Sequence, residues 1–315
     1  MQHILVTGDF ELPPSLLKSS EIILHLRQLH SRNELKQKLI NIQSYILGGP
    51  EYLDDDLLGA AKNLKHIVVL GTGTPSFVDI KSANRRGIHI DNLPGINSNV
   101  VSEFALGMMI SNNSNGFQSY ASMRQDGTWL QTPWTSLTNL SIGLVGLGKI
   151  GQSLLHRLHN LGCTNMCYFS RSPKSEIEAQ YGITWCTFPK LLQTSDIIVV
   201  HVNYTDETHN LFNKKTLEFC KRGARLFCFS NPKVINPEDL KSILNRGHKL
   251  SFVYMDGFYE EWVNCPGRKD PRGLLSLPPE KFVSTSHIAA QEIKTIKTMI
   301  NLAWRKVLEF KINAV

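Results

Sequence analysis

Residues 142–154 read IGLVGLGKIGQSL, and the fold is decided here. Ser141–Val145 has the apolar run of a buried strand, and Gln152–Leu161 has helical spacing. Between them, Gly146-Leu-Gly148-Lys149-Ile150-Gly151 is a GxGxxG turn. A second strand is predicted at Met166–Phe169. In that strand–turn–helix–strand setting each glycine has a reason. Gly146 permits a tight turn, Gly148 lets the backbone approach a pyrophosphate, and Gly151 lets the helix lie close on the sheet. The N–H groups and dipole at the helix start, around Lys149 and Ile150, suit a phosphate. A dinucleotide is the expected ligand.

The end of the second strand chooses between dinucleotides. An acid there would hold the ribose 2′-hydroxyl of NAD. The chain instead reads Tyr168-Phe169-Ser170-Arg171-Ser172-Pro173. Ser170 takes the acid's place, and Arg171 and Ser172 bring a positive charge and a hydroxyl. A guanidinium binds a 2′-phosphate that a carboxylate repels, so NADP(H) is preferred and NAD(H) remains possible. The bland reading is a surface arginine without a ligand.

Outside this stretch, 315 residues allow about two domains. Hydrophobic residues at 42% and charged residues at 19% exclude a disordered chain. No apolar run is long enough for a membrane span, and the start MQHILVTGDFELPP lacks a signal-peptide pattern, so a cytoplasmic protein is expected. The net charge of +7 is scattered. It reads as a solvated basic surface or an attraction for anionic small molecules, and without a basic helix nucleic acid is not expected. The six cysteines (163, 167, 186, 220, 228 and 265) form no CxxC pair and no ligand spacing. They read as buried reduced thiols, and no metal site is expected.

Apolar runs at 3–7, 43–47 and 66–70 predict strands, separated by helix-like segments at 14–30 and 33–41. A short helix over 78–87 capped by Gly87, a strand at Ile88–Ile90 and a long helix from Asn99 to about Ser122 follow. Further strands are predicted at Asp196–Val200, Ala224–Phe229, Phe252–Met255 and Phe282–Ser284, then a helix over Gln291–Phe310. Alternating strands and helices imply an α/β protein with parallel sheets.

The order of motifs resembles the D-isomer-specific 2-hydroxyacid dehydrogenase family from about residue 66 to 305. The pieces are GTGTPSFVDIKSANRRGI (71–88), NLPGINSNVVSEFALGMM (92–109), IGLVGLGKIGQSL (142–154), SDIIVVHVNYTDETHNLFN (195–213), VINPEDLKSILNRG (234–247), MDGFYEE (255–261) and TSHIAA (285–290). The resemblance implies a flavodoxin-like substrate domain, 1–98 plus 290–315, with a Rossmann-type nucleotide domain, 99–289, inserted in it. It also implies a homodimer, a small-molecule substrate in the cleft, and hydride transfer between nicotinamide and a 2-oxo/2-hydroxy carbon.

By the same resemblance His287 is the acid/base, Glu261 the carboxylate that pairs with it, and Asp256 the residue that meets the nicotinamide carboxamide. His201, Val202, Asn203, Thr208, Phe229 and Ser230 complete the cofactor contacts, and Thr72, Gly73 and Thr74 the substrate loop. A histidine pKa near neutrality suits proton donation to a developing alkoxide.

One departure stands out. Where the family has Thr-Ala-Arg-Gly, the chain reads Phe229-Ser230-Asn231-Pro232-Lys233, so Asn231 replaces the carboxylate-binding arginine. A neutral amide in place of a bidentate cation loses ~2–4 kcal/mol on an ordinary 2-oxo acid, or ~30- to 1000-fold. Lys233 stands nearby, Pro75 removes one N–H from the substrate loop, and Trp262 follows Glu261 where the family commonly has proline. Two readings stay open. One is an active reductase with non-standard carboxylate recognition. The other is a nucleotide-binding scaffold or regulator with weak turnover.

Overall fold

A computed structural model describes residues 3–28, 31–259, 270 and 272–313. The chain divides into two units, Met1–Asn97 with Ala290–Val315, and Ser98–Tyr259 with Asp270–Ala289. Each is built on its own parallel sheet.

In the first unit the strands are β1 (His3–Thr7), β2 (Ile22–Leu26), β3 (Ser44–Leu47), β4 (His66–Val69) and β5 (His89–Asn92), in the order β2-β1-β3-β4-β5. That is the flavodoxin-like order. The inner strands are apolar on both faces because both are covered. Ile4, Val6, Ile46 and Val68 pack on Ile300, Ala303 and Trp304 of the helix Ile293–Asn313. Leu5, Tyr45, Leu47 and Ile67 pack the other way, on Leu35, Leu57 and Leu58. The expected helix over 14–30 is corrected. A single turn, Pro14–Leu17, is followed by the edge strand β2. β2 is part-exposed along its length, so it shows no in/out alternation to distinguish it from a helix, and its consecutive β-branched Ile22 and Ile23 favour the strand.

In the second unit the strands are β6 (Ile142–Val145), β7 (Met166–Phe169), β8 (Thr184–Trp185), β9 (Ile197–Val200), β10 (Ala224–Cys228), β11 (Leu250–Asp256) and β12 (Phe282–Thr285). Their order, β12-β11-β10-β9-β6-β7-β8, is doubly wound. The chain leaves β6 towards one edge and returns to β9 on the other side, so the crevice for a ligand lies beyond the C-terminal ends of β6 and β9. The two-residue β8 was not expected from sequence. The expected single helix from Asn99 to about Ser122 is two helices, Ser98–Asn113 and Gly116–Gln125. The break falls at Asn115, left-handed at φ +57°, a conformation asparagine tolerates.

Five cysteines (163, 167, 186, 220 and 228) are free thiols. Burial pushes Cys220 and Cys228 up to about 12, so neither is a nucleophile near neutral pH. Among the described residues no helix is long and apolar enough to cross a membrane.

Candidate functional site

Two of the three glycines of the turn after β6 are required by the protein itself. Gly146 has φ +97°, and a Cβ there would lie 2.8 Å from His201 O. A Cβ on Gly151 would lie 2.3 Å from Gly146 O. Gly148 is different: a Cβ there would meet nothing within 4 Å. It is the N-cap of the helix Lys149–Asn160, and no side chain caps it. The space beside the helix start is therefore open with no Cβ in the way, which is the cradle a pyrophosphate needs. Ile150 is half-buried beside it.

At the end of β7, Ser170 Oγ donates to Ser172 O at 2.6 Å and Trp185 Nε1 donates to Ser170 O at 3.0 Å. Ser170 has thus committed its proton within the turn. Arg171 is exposed and makes no ion pair among the described residues.

Beyond β9 and β10 lie buried polar atoms without partners. Among the described residues, both ring nitrogens of His201 and the hydroxyl of Ser230 make no hydrogen bond. Burial drives His201 down to about 3, so its ring is neutral. The ring stacks on Phe229 at 5.4 Å and 19°. Buried atoms left unpaired are rare and cost ~1–3 kcal/mol each. Together with the open cradle at Gly148 they fit a polar group bound at this end of the sheet. Val202 lines the Gly146 turn. Thr208 is a loop clamp: it donates to Asn203 O at 2.7 Å and accepts from Thr205 N at 2.8 Å.

The ends of β11 and β12 hold the turn that carries His287. Asp256 and Thr285 are register partners. Asp256 Oδ1 accepts from Thr285 Oγ1 at 2.7 Å and Ile288 N at 2.8 Å, and Oδ2 accepts from Ala289 N at 3.0 Å. The Tyr254 hydroxyl donates to Thr285 Oγ1, and burial pushes that phenol well above its ordinary range. His287 sits at φ +59°, a conformation that costs a non-glycine residue ~1–2 kcal/mol and persists because the turn is held on both sides. Asp256 was expected against the nicotinamide carboxamide. Three of its roughly four acceptor positions are spent on this turn, which makes it first a positioning residue for His287. Sequence reasoning missed Thr285 and Tyr254. The only signal for Thr285 was its place two residues before His287.

Asn231 follows β10 and is half-buried. Its Oδ1 accepts from Lys233 N at 3.0 Å, so it caps the turn Pro232–Val234. Its amide nitrogen takes no part in that bond and is a neutral donor. Glu261 and Trp262 lie outside the described residues. In the first unit, Thr72 O accepts from Asn92 Nδ2 at 2.9 Å and Thr74 N at 3.2 Å, while Gly73 opens the turn Thr74–Ser76. The N–H groups of Thr72 and Gly73 take no partner among the described residues.

The sequence profile described as "D-isomer specific 2-hydroxyacid dehydrogenase, NAD binding domain" matches residues 106–289. The chain is 28% identical over 266 residues to D-3-phosphoglycerate dehydrogenase of Sus scrofa, covering 84% of this chain and 48% of the relative. It thus spans about half the length of that relative. It is 29% identical over 239 residues to glyoxylate reductase of Thermococcus litoralis, covering 73% and 71%. Among solved structures, D-lactate dehydrogenase from Aquifex aeolicus complexed with NAD and lactic acid superposes at TM-score 0.84 with 20% identity, covering 98% and 96%. The TT0316 protein from Thermus thermophilus gives 0.78 with 26% identity, covering 96% and 94%. With that profile covering more than half of its length, the chain belongs to the D-isomer-specific 2-hydroxyacid dehydrogenase family.

Proposed function

We propose that the chain is a nicotinamide-dependent oxidoreductase interconverting a 2-oxo and a 2-hydroxy acid, or a related carbonyl compound. In this reading it prefers NADP(H) and recognises the substrate carboxylate without the family's arginine. The observation that carries the proposal lies within the second unit. The open phosphate cradle at Gly148 and the clamped His287 turn stand at the same, C-terminal, edge of one parallel sheet.

The helix start at Gly148, Lys149 and Ile150 holds the pyrophosphate. Arg171 and the Ser172 hydroxyl hold a 2′-phosphate, since Ser170 has no proton left to offer. The bound cofactor supplies or accepts the hydride. His201 and Ser230 gain partners on it, and Asp256 has one acceptor position left for an amide N–H. His287 donates the proton to the developing alkoxide and takes it back in the reverse direction, with Glu261 pairing with its ring. Asn231 contributes a neutral hydrogen bond to the substrate, weaker than a guanidinium would. The assignment of Thr72, Gly73 and Thr74 to the substrate rests on the family resemblance. A homodimer belongs to the same reading, supported by exposed Tyr120, Met123, Trp129 and Trp134 along residues 116–136, and sedimentation checks it.

The test is NADPH oxidation with glyoxylate, hydroxypyruvate and bulkier 2-oxo acids. Turnover is expected on at least one of them. Arg171→Ala removes one charge-assisted phosphate contact, ~1.5–3 kcal/mol, so NADPH weakens ~10- to 100-fold and NADH is unchanged. Tight NADPH binding without turnover of any substrate would turn the reading to the scaffold, and equal loss of both nucleotides would refute the 2′-phosphate site.

A further inference from the structure

The sequence showed no metal-ligand spacing, but the first sheet creates one through its register. β4 and β5 are parallel neighbours, with His66 opposite His89 and Val68 opposite Asp91. Side chains two residues apart on a strand share a face. His66, His89 and Asp91 therefore stand on one face of an edge strand and its neighbour, with one donor atom from each within 4.8 Å of the others.

The geometry points to a divalent transition-metal site, of which Zn²⁺ is the best fit, formed by the Nε2 atoms of His66 and His89 and by Asp91 Oδ2. His66 Nε2 lies 3.0 Å and His89 Nε2 3.4 Å from Asp91 Oδ2. Tetrahedral bonds of ~2.0–2.1 Å require ligand–ligand edges of ~3.3 Å, so both edges to the carboxylate already match within a few tenths of an ångström, and the edge between the two imidazoles lies within 4.8 Å. Two imidazoles and a carboxylate form a donor set suited to Zn²⁺.

Three further features favour the ion. The carboxylate is divided: Lys306 Nζ takes Oδ1 at 2.8 Å and leaves Oδ2 to the imidazoles. Phe310 stacks on both rings, at 4.4 Å from His66 and 5.5 Å from His89, and fixes their planes. The His66 side chain is fully buried while that of His89 is 56% exposed, so the site is anchored on one side and open on the other for entry and a water as fourth ligand. Two features oppose high affinity. Lys306 is a like charge beside the ion. The buried Nδ1 of His66 has no partner among the described residues, and so lacks there the outer hydrogen bond that usually orients a metal-bound histidine.

The site lies within the first unit and does not depend on the proposed activity. Its test is calorimetric titration of Zn²⁺ into the whole chain, kept reduced, with Co²⁺ as a spectroscopic probe of tetrahedral coordination. The expected result is one site per chain and a visible tetrahedral Co²⁺ band. His89→Ala, at an exposed edge position, should keep the metal-free melting temperature and weaken Zn²⁺ ~100-fold, and Asp91→Asn should weaken it comparably. Absence of binding to the wild-type chain, or wild-type affinity in either variant, would overturn the proposal. The second outcome would mean that thiols elsewhere hold the ion.

Discussion

Asp256→Asn isolates the clamp on the His287 turn. The wild-type carboxylate is 5% exposed and accepts from Thr285 Oγ1, Ile288 N and Ala289 N at 2.7, 2.8 and 3.0 Å. The amide can keep its oxygen where Oδ1 stood, but then its NH₂ opposes the Ala289 N–H. The lost charge-assisted bond is worth ~1.5–3 kcal/mol, and a buried N–H left unpaired costs ~1–3 kcal/mol. These two figures partly describe the same loss, so the combined effect is ~2–4 kcal/mol. At about 1.4 kcal/mol per tenfold, local opening of residues 285–289 becomes ~30- to 1000-fold more frequent. Hydrogen exchange followed by mass spectrometry reads this directly. The peptide containing Ile288 and Ala289 should exchange faster by that factor, and β6 should be unchanged. A displaced imidazole should also lower kcat ~100-fold. Exchange of 285–289 within about threefold of wild type would refute the argument that Asp256 holds the turn.

Two other substitutions test the backbone and the core. Gly151→Ala places a Cβ 2.3 Å from Gly146 O, a backbone atom that cannot swing aside. Overpacking of ~1–3 kcal/mol outweighs the ~1 kcal/mol helix gain of alanine, so the melting temperature should fall, and a rise would contradict the geometry. Glu51 is fully buried, and burial raises its carboxyl pKa despite hydrogen bonds from Thr7 and Tyr45. A raised folded-state pKa gives stability that is full below the unfolded value of 4.5 and lost as pH rises through the folded one. Glu51→Gln should therefore gain stability over wild type as pH climbs from 4.5. A difference in urea midpoint that stays flat with pH would count against the buried charge.

The nucleotide unit was legible because its signals are local. Gly146 and Gly151 meet neighbouring backbone in the structure, as the motif requires, and β6, β7, β9, β10 and β11 are apolar runs that no helix period explains. Features set by register were not legible. Asp256 reaches Thr285 only because β11 pairs with β12, and His66 meets His89 only because β4 pairs with β5. The edge strands β2 and β8 escaped because part-exposed or two-residue strands carry no pattern. Asn231 could be read as a lost cation, but its second task, capping the Pro232–Val234 turn, depends on a backbone bend that its residue type alone does not announce.

The central claim is that the uncapped helix start at Gly148 receives the phosphates of a reduced nicotinamide nucleotide. Calorimetric titration of NADPH and NADH into wild type and Gly148→Ala tests it most directly. With nothing within 4 Å of the new Cβ and an ordinary φ of −76°, the variant should fold as the wild type does. The account predicts one nucleotide per chain for wild type, NADPH tighter than NADH, and binding weakened at least ~10-fold by the added methyl group. Failure of the wild-type chain to bind either nucleotide, or unchanged affinity in the variant, would contradict it.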